Sequence, residues 1–485
     1  MDKRPGCGNN CPALSWINLM SQPDFLEFEI KMRNVGATDA AIRAFRHSYE
    51  SLVAGKTGLL PESEIQPVTD LPRFDDIAAQ SVHDSALLSQ AIVIKLNGGL
   101  GTSMGLEKAK SLLPIKDGLT FLDFIAKQIL YLRQKHSSPL RFLLMNSFST
   151  SRDTLDFLKK YPAIGETSRL ELMQSAVPKV DAKTLRPATW PTHPELEWCP
   201  PGHGDLYPSL LGSGWLDRLL ADGVKYLFVS NSDNLGASLD FNLLGWFAAS
   251  ERPFLMEVCE RTASDRKGGH LAQANGRLLL RESAQCPEAD LPAFQDIRRH
   301  RFFNTNNLWV RLDHLKKLLD AHGGFIPLPI IKNAKTIDPR DKTSPKVFQL
   351  ETAMGAAIEC FDRAGAIVVP RTRFAPVKTT ADLLALRSDA YTVTEDWRLV
   401  LSQTGLGVPP TIDLDADHYK FVDQLEGALA GGAPSLAHCR ELAVRGPVLF
   451  NSGNNFIGKV SILNKSVTPR PLPAGEYKDV VKELA

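Results

Sequence analysis

Surplus charge is the first thing this sequence lacks. Lys and Arg total 56 against 55 Asp and Glu over 485 residues. No global field therefore draws the chain to nucleic acid or to an acidic membrane, and any phosphate binding must be local. No apolar run is long enough to cross a bilayer, and the opening MDKRPGCGNNCPALSW has no apolar core of a secretory signal, which points to a cytoplasmic protein with no membrane partner. Cysteine is sparse and odd in number, seven in all. Cys199, Cys259, Cys286, Cys360 and Cys439 stand singly, a pattern of reduced thiols rather than of a disulfide framework. Cys7 and Cys11 are close together, but no further Cys or His follows to complete a metal set, and they read as part of a tail.

What is present is size and periodicity. The length predicts two or three domains. From Asp24 to Gly55, apolar residues recur at helical spacing with Gly36 between two segments, and LPESEIQPVTDLP reads as an extended, proline-marked link. These mark residues 1–85 as a helical N-terminal segment. From about residue 90, short apolar strands (AIVIKL, RFLLMN, YLFVS, FLMEVC, AIVVP) alternate with helical patterns such as TFLDFIAKQILYLRQ, whose Phe121, Phe124, Ile125, Ile129 and Leu132 share one face. That alternation predicts an α/β domain over residues 86–390, with a mainly parallel sheet covered on both faces. In residues 391–485, Val444, Phe450, Phe456 and Ile462 recur every six residues, and Leu436, Leu442, Val448 and Val460 form a second series interrupted by Asn454. A six-residue period predicts a short parallel β-helix; a plain hairpin region with chance spacing is the alternative.

Directly after the first strand comes KLNGGLGTSMG, Lys95 to Gly105. Backbone N–H groups of a bare loop between strand and helix can wrap phosphates, although many such loops are only tight turns. The loop does not end in Gly-Lys-Ser/Thr, since Lys110 and Ser111 follow an alanine, and Gly99, Gly101 and Gly105 are spaced one residue too long for the dinucleotide fingerprint. Lys110 nevertheless supplies a cation about one turn on. A second centre is YLFVSNSDN, which sets Asp233 at the carboxyl edge of a sheet, where a hard oxygen suits Mg²⁺ bridging phosphates, or where Asp and Asn merely form a turn. Amides in FNTNNLW, bare backbone in RKGGH and Glu282 in LRESAQ are groups that a hydroxyl-rich ligand requires. FAPVKTT adds Lys378 as a further phosphate-facing cation.

Ten segments in one order, from LNGGLGTSMG through LMNSFST, ELMQSAVPK, PPGHGDLYPSL, FVSNSDNLGA, MEVCERTASDRKGGHL, RESAQCP, FFNTNNLWV and QLETAMGAAI to RFAPVKTTADLLALRSDAY, carry a resemblance. The chain resembles the eukaryotic-type UTP–glucose-1-phosphate uridylyltransferases, or UDP-glucose pyrophosphorylases, especially the trypanosomatid branch. The resemblance implies a Rossmann-like nucleotidyltransferase (GT-A-like) central domain and the partners UTP, glucose 1-phosphate, UDP-glucose and pyrophosphate. It assigns Leu96, Asn97, Gly98, Gly99, Gly101, Thr102, Met145, Gln174, Pro201, Gly202 and His203 to the nucleotide, with Gln174 able to read a uracil edge. Asn231, Gly268, Glu282, Asn304 and Asn306 match hexose-binding positions. Lys110 matches the nucleotide-phosphate lysine, Asp233 the Mg²⁺-holding aspartate, and Lys378 the lysine that contacts the phosphates. The relatives it most resembles act as monomers. Lys108 departs from the family, which usually has a small or polar residue there, and the tail through Cys11 matches nothing in it.

The implied reaction is attack by a phosphate oxygen of glucose 1-phosphate on the α-phosphorus of UTP. The nucleophile is already an anion, so catalysis rests on alignment and charge neutralisation, with no protein nucleophile and with His203 a pocket residue rather than a base. The rivals are a uridylyltransferase for galactose 1-phosphate or N-acetylglucosamine 1-phosphate, and a nucleotide-sugar-binding regulator without catalysis. The loop spelling, with Ser103 after Thr102, argues against N-acetylglucosamine 1-phosphate. The presence of all three charges argues against the regulator.

Overall fold

The computed structural model describes residues 25–77, 84–262 and 265–484; Cys7 and Cys11 lie outside the described residues. Helices α1 (Leu26–Asn34) and α2 (Asp39–Val53) meet at a turn in which Gly36 adopts a φ of +78°. They bury Phe28, Met32, Phe45 and Tyr49 in one aromatic cluster.

The centre of the molecule is a ten-stranded mixed sheet. Its parallel half consists of β1 (Ala91–Asn97), β2 (Arg141–Asn146), β3 (Glu171–Met173) and β4 (Tyr226–Asn231), in the order β4-β1-β2-β3. Strands β1, β2 and β4 alternate between two cores. Val93, Phe142, Leu144 and Phe228 face one side with helix α3 (Phe121–His136), whereas Ile92, Leu143, Met145 and Leu227 face the other. A sheet buried on both faces reads as continuous apolar runs, which is why β1, β2 and β4 were legible as such, whereas the short β3 was not. Helix α3 starts at a capping box, in which the Thr120 hydroxyl accepts the Asp123 N–H at 3.1 Å and the Asp123 carboxylate accepts the Thr120 N–H at 2.8 Å.

The other half is built differently. Strands β5 (Phe254–Glu260), β6 (His270–Ala274), β7 (Arg277–Arg281) and β8 (Phe302–Arg311) come next in the chain. Strand β8 runs antiparallel to both β4 and β5, and β6–β7 is a hairpin on its far side. Strand β9 (Gly365–Val368) adds to β5 in parallel. All the parallel strands of the first half end at the same edge, where open α/β sheets form ligand crevices.

Strands β10 (Thr411–Leu414), β11 (Cys439–Arg445), β12 (Asn454–Asn464), β13 (Gly475–Lys478) and β14 (Val481–Leu484) pair only in parallel. Leu442 faces Val460 and Val444 faces Ile462, each pair three six-residue steps apart. Val444, Phe450, Phe456 and Ile462 are all buried, as are Leu436, Leu442, Val448 and Val460. The six-residue period is therefore that of a parallel β-helix. Asn454 keeps its place in the interior because its amide donates to the carbonyl of Pro473 at 2.8 Å and accepts the Asn451 N–H at 2.9 Å.

Candidate active site

At the carboxyl ends of β1, β2 and β4 lies a cavity of about 260 Å³. It is lined by Leu96, Gly98, Gly99, Lys110, Met145, Gln174, Pro200, Gly202, His203, Asn231, Ser232 and Asp233. Ten of these twelve are residues singled out from the sequence; Pro200 and Ser232 are additions, each next in sequence to a residue already named. The loop after β1 does not enter an α-helix. It closes through short 3₁₀ turns at Thr102–Met104 and Lys110–Leu112, and the next α-helix begins at Phe121. With no α-helix directly after it, the loop has no helix dipole to offer, and positive charge at the cavity comes from side chains. Gly101, at φ +74°, makes the turn that brings the Lys110 N–H to the carbonyl of Gly99 at 3.2 Å. At Gly98 a Cβ would come within 2.5 Å of Gln174 Oε1, so the bare backbone is what lets Gln174 lie against the loop. Gln174 Nε2 donates to the carbonyl of Gly202 at 2.9 Å.

Two lysines converge on one aspartate. Lys110 Nζ lies 2.7 Å and Lys378 Nζ 3.0 Å from the same oxygen, Asp233 Oδ2. Lys110 also donates to the carbonyl of Val377. Burial alone would raise the pKa of Asp233, but the charges of Lys378 and Lys110 outweigh it and hold the carboxyl below its usual range. Its other oxygen, Oδ1, is buried and has no hydrogen-bond partner among the described residues. Lys110 is mostly buried, with 14% of its side chain exposed; Lys378 is 61% exposed. Lys108 faces solvent.

The segment bearing Lys378 is fixed from both sides. Behind it, helix α4 (Thr380–Arg387) opens with a capping box in which Asp382 accepts the N–H groups of Thr379 and of Lys378 itself, at 2.8 and 2.7 Å. Ahead of it, the Arg373 guanidinium binds the Glu257 carboxylate through two bonds of 2.7 and 2.8 Å, both groups wholly buried. Glu257 also accepts from Asn307 Nδ2 and Trp309 Nε1. Asn234, next to Asp233, accepts the Ala375 N–H at 2.9 Å and donates to the Arg373 carbonyl at 3.2 Å. A buried polar cluster thus ties the Asp233 turn to the Lys378 loop. Lys95 joins it from beneath, donating to Ser230 Oγ at 2.8 Å and to the carbonyl of Ala237 at 2.5 Å, its pKa pushed down to about 7, by burial first. The signal for this cluster was in the sequence: Glu257 is a carboxylate inside the apolar run FLMEVC, and a buried carboxylate requires a cation.

His203 accepts the N–H of Met354 at Nδ1, 2.9 Å away, which assigns the proton to Nε2. Burial, then the charge of Lys378, push its pKa down to about 4, so it is a neutral donor and acceptor. Asp205, not foreseen from the sequence, accepts the Ser175 N–H and the Ser209 hydroxyl, each at 2.7 Å.

Some foreseen residues stand elsewhere. The Asn97 side chain is buried, its amide nitrogen donating to Asn146 Oδ1 and Thr154 Oγ1 in the interior. Thr102 and Gly101 lie on the outer part of the loop, and the Pro201 carbonyl is occupied by the Thr352 N–H. Gly268, Glu282, Asn304 and Asn306 form a second group around the β6–β7 hairpin. There β8 bulges: Glu257 pairs with Asn307 and Val258 with Asn304, which loops out Thr305 and Asn306 and gives Asn306 a φ of +57°. The Asn304 amide donates to Asn306 Oδ1 at 2.8 Å. A Cβ on Gly355 would lie 3.0 Å from Asn304 Nδ2, and Gly355 follows the Met354 that binds His203, so the two groups adjoin.

Among the described residues, no group of three or more His, Cys, Asp or Glu could share a metal, and no helix is long and apolar enough to cross a membrane.

The family model for UTP–glucose-1-phosphate uridylyltransferase matches residues 42–456. The potato (Solanum tuberosum) enzyme of that name is 40% identical over 430 residues, covering 87% of this chain and 88% of that one. The Saccharomyces cerevisiae enzyme is 40% identical over 410 residues, 84% of this chain and 80% of that one. The UDP-glucose pyrophosphorylase of Leishmania major, solved in open and closed forms, superimposes with a TM-score of 0.91 at 50% identity, over 95% of this chain and 99% of that one. The Trypanosoma brucei structure gives a TM-score of 0.89 at 50% identity, with the same coverage. From the glycine loop to the β-helix, then, the chain belongs to the UTP–glucose-1-phosphate uridylyltransferase family.

Proposed function

We propose that this cleft transfers UMP from UTP to glucose 1-phosphate by a single in-line displacement steered by Lys110, Lys378 and Asp233. The observation that carries the reading is the convergence of two ammonium groups on one aspartate oxygen at the rim of a cavity walled by the glycine loop. A phosphate oxygen of the sugar phosphate attacks the α-phosphorus, the bond from that phosphorus to the bridging oxygen breaks, and pyrophosphate leaves with the electron pair; the reverse course regenerates UTP. No proton has to be removed from the nucleophile. What the chain must supply is alignment and positive charge where the phosphoryl oxygens gain negative charge.

Leu96, Gly98, Gly99, Met145, Gln174, Gly202 and His203 hold the uridine. Gly98 gives the backbone room for close approach, and Gln174 offers a donor and an acceptor to a uracil edge. Asn231, Gly268, Glu282, Asn304 and Asn306 receive the hexose hydroxyls. Lys110 and Lys378 leave Asp233 for the phosphates, or share it with them. Asp233 fits a magnesium site in one specific respect: Oδ2 is engaged by both lysines, whereas Oδ1 is buried and unpartnered. That oxygen would hold Mg²⁺, with phosphate oxygens and water supplying the other ligands, since no further protein cluster among the described residues could. Held there, the ion would supply neutralisation of phosphate charge.

The test is pyrophosphate release from UTP with a panel of sugar 1-phosphates, with and without Mg²⁺. Turnover with glucose 1-phosphate that needs Mg²⁺ is expected. Preference for galactose 1-phosphate or N-acetylglucosamine 1-phosphate would reassign the hexose set, and nucleotide-sugar binding without turnover would favour the regulatory reading.

A further inference from the structure

Distinct from the three charged residues, a second cluster surrounds Glu62, in the proline-marked link between the N-terminal helices and the central sheet. Glu62 Oε2 accepts from Arg281 at 2.6 Å, and Oε1 accepts from Arg299 at 2.7 Å and lies 2.9 Å from His300 Nε2. Arg281 and His300 are completely buried, and Glu62 is partly buried, with 15% of its side chain exposed. Burial would raise the pKa of Glu62, but His300 and the arginines outweigh it and hold the carboxyl below its usual range.

Both of its buried contacts lead to the ends of the β6–β7 hairpin. Arg281 closes β7 and is followed by Glu282. His270 opens β6, is preceded by Gly268 and Gly269, pairs with Arg281 across the hairpin, and stacks on His300 with ring centroids 3.8 Å apart. Gly269 abuts Glu282 so closely that a Cβ there would meet a carboxylate oxygen at 2.4 Å, and its carbonyl accepts the Asn304 N–H at 3.3 Å. The link reinforces this at further points: the Leu60 N–H donates to the Gln285 carbonyl, and Gln66–Pro67 adds an edge strand to β6. The Glu62 N–H donates to Asp290 Oδ2, which also accepts from Arg281. Both Nη atoms of Arg281 are engaged by Glu62 and Asp290, so the neighbouring carboxyl of Glu282 is not held by Arg281 and lies instead against Gly269.

We propose that Glu62 is a positioning residue for the sugar phosphate: by gripping Arg281, Arg299 and His300 it fixes the hairpin ends that present Gly268 and Glu282. This rests on the assignment of those residues to the hexose. The N-terminal link thereby sets affinity for one substrate of two.

The experiment compares Glu62→Gln, which keeps the shape and removes the charge, with Glu282→Gln, measuring KM for glucose 1-phosphate and for UTP separately. Glu62→Gln is expected to raise KM for the sugar phosphate about tenfold, the effect of a small misplacement of contact groups, with KM for UTP within twofold of wild type. If Glu282→Gln raises that KM and Glu62→Gln leaves it unchanged, the positioning role falls and the hexose assignment stands. If neither variant moves it, both fall. An equal rise in both KM values, or a fall in kcat alone, marks a general structural effect and overturns the proposal. Should Glu62→Gln fail to fold, Asp290→Asn loosens Arg281 from its other side and must raise the same KM selectively, or the proposal fails.

Discussion

Replacing Lys378 by alanine separates charge supplied to the reaction from charge that holds the fold. Its ammonium lies 3.0 Å from Asp233 and is 61% exposed, a pair that adds little to stability. The loop beneath it is held by other groups, Arg373 on Glu257 and the capping box of α4, and these remain in the variant. The folded variant should therefore melt close to wild type. Its kinetics should not. Two unit charges about 4 Å apart at an effective dielectric of about 20 interact by ~4 kcal/mol, roughly three powers of ten in rate. Removing one preorganised group at a developing charge generally costs about 10²–10³ in kcat. We expect kcat for UDP-glucose formation to fall by about 10²–10³ at saturating substrates, with KM for UTP changed far less, because Lys110 and the loop remain. Stopped-flow or quench-flow detection of pyrophosphate in a single turnover reads the chemical step directly. A folded Lys378→Ala enzyme turning over within about fivefold of wild type would refute the reasoning, since no preorganised charge of this kind is worth so little.

Three further outcomes follow from other parts of the molecule. Asp233→Asn leaves two ammonium groups no more than about 6 Å apart without their shared anion and replaces the unpartnered oxygen by a weaker ligand. Mg²⁺-dependent turnover should vanish, and retained activity at ordinary Mg²⁺ would remove Asp233 from the metal role. In the β-helix, Asn454→Leu restores the apolar period yet orphans the Asn451 N–H and the Pro473 carbonyl, so it should destabilise by about 1–3 kcal/mol in urea unfolding rather than stabilise. For His203, the pKa depressed by burial to about 4 lies below the 6.5 of a free imidazole, so the unfolded state binds more protons between those pH values and the contribution of His203 to stability is lost as pH falls through them. Relative to wild type, His203→Gln should gain about 1.4 kcal/mol per pH unit from pH 6.5 down towards 4. The buried carboxyls Asp205 and Glu359, whose pKa values are raised by burial and which act oppositely, are common to both proteins and cancel. A pH-independent difference would contradict this.

Local pattern made much of the fold legible. Strands β1, β2, β4 and β5 were visible because burial on both faces forces unbroken apolar runs, and α3 because its apolar residues share one face. The antiparallel placement of β8 between β4 and β5 was not visible, since strand partners are chosen by contacts across the chain. The six-residue series showed the β-helix, whereas Asn454 looked like an interruption until its amide was seen to satisfy neighbouring backbone. Lys110, Asp233 and Lys378 are individually ordinary. They are distant in sequence, and only the resemblance grouped them before the fold brought them to one carboxylate oxygen. The Glu62 cluster lies in a stretch that reads only as a linker, because its meaning depends on Arg281 and His300, more than two hundred residues away.

The direct test of a single charge-steered displacement is the stereochemistry at the α-phosphorus. With one diastereomer of α-thio UTP and glucose 1-phosphate as substrates, in-line attack with no protein nucleophile predicts inversion in the α-thio UDP-glucose product. Retention would require two displacements through a uridylylated enzyme and would contradict the mechanism.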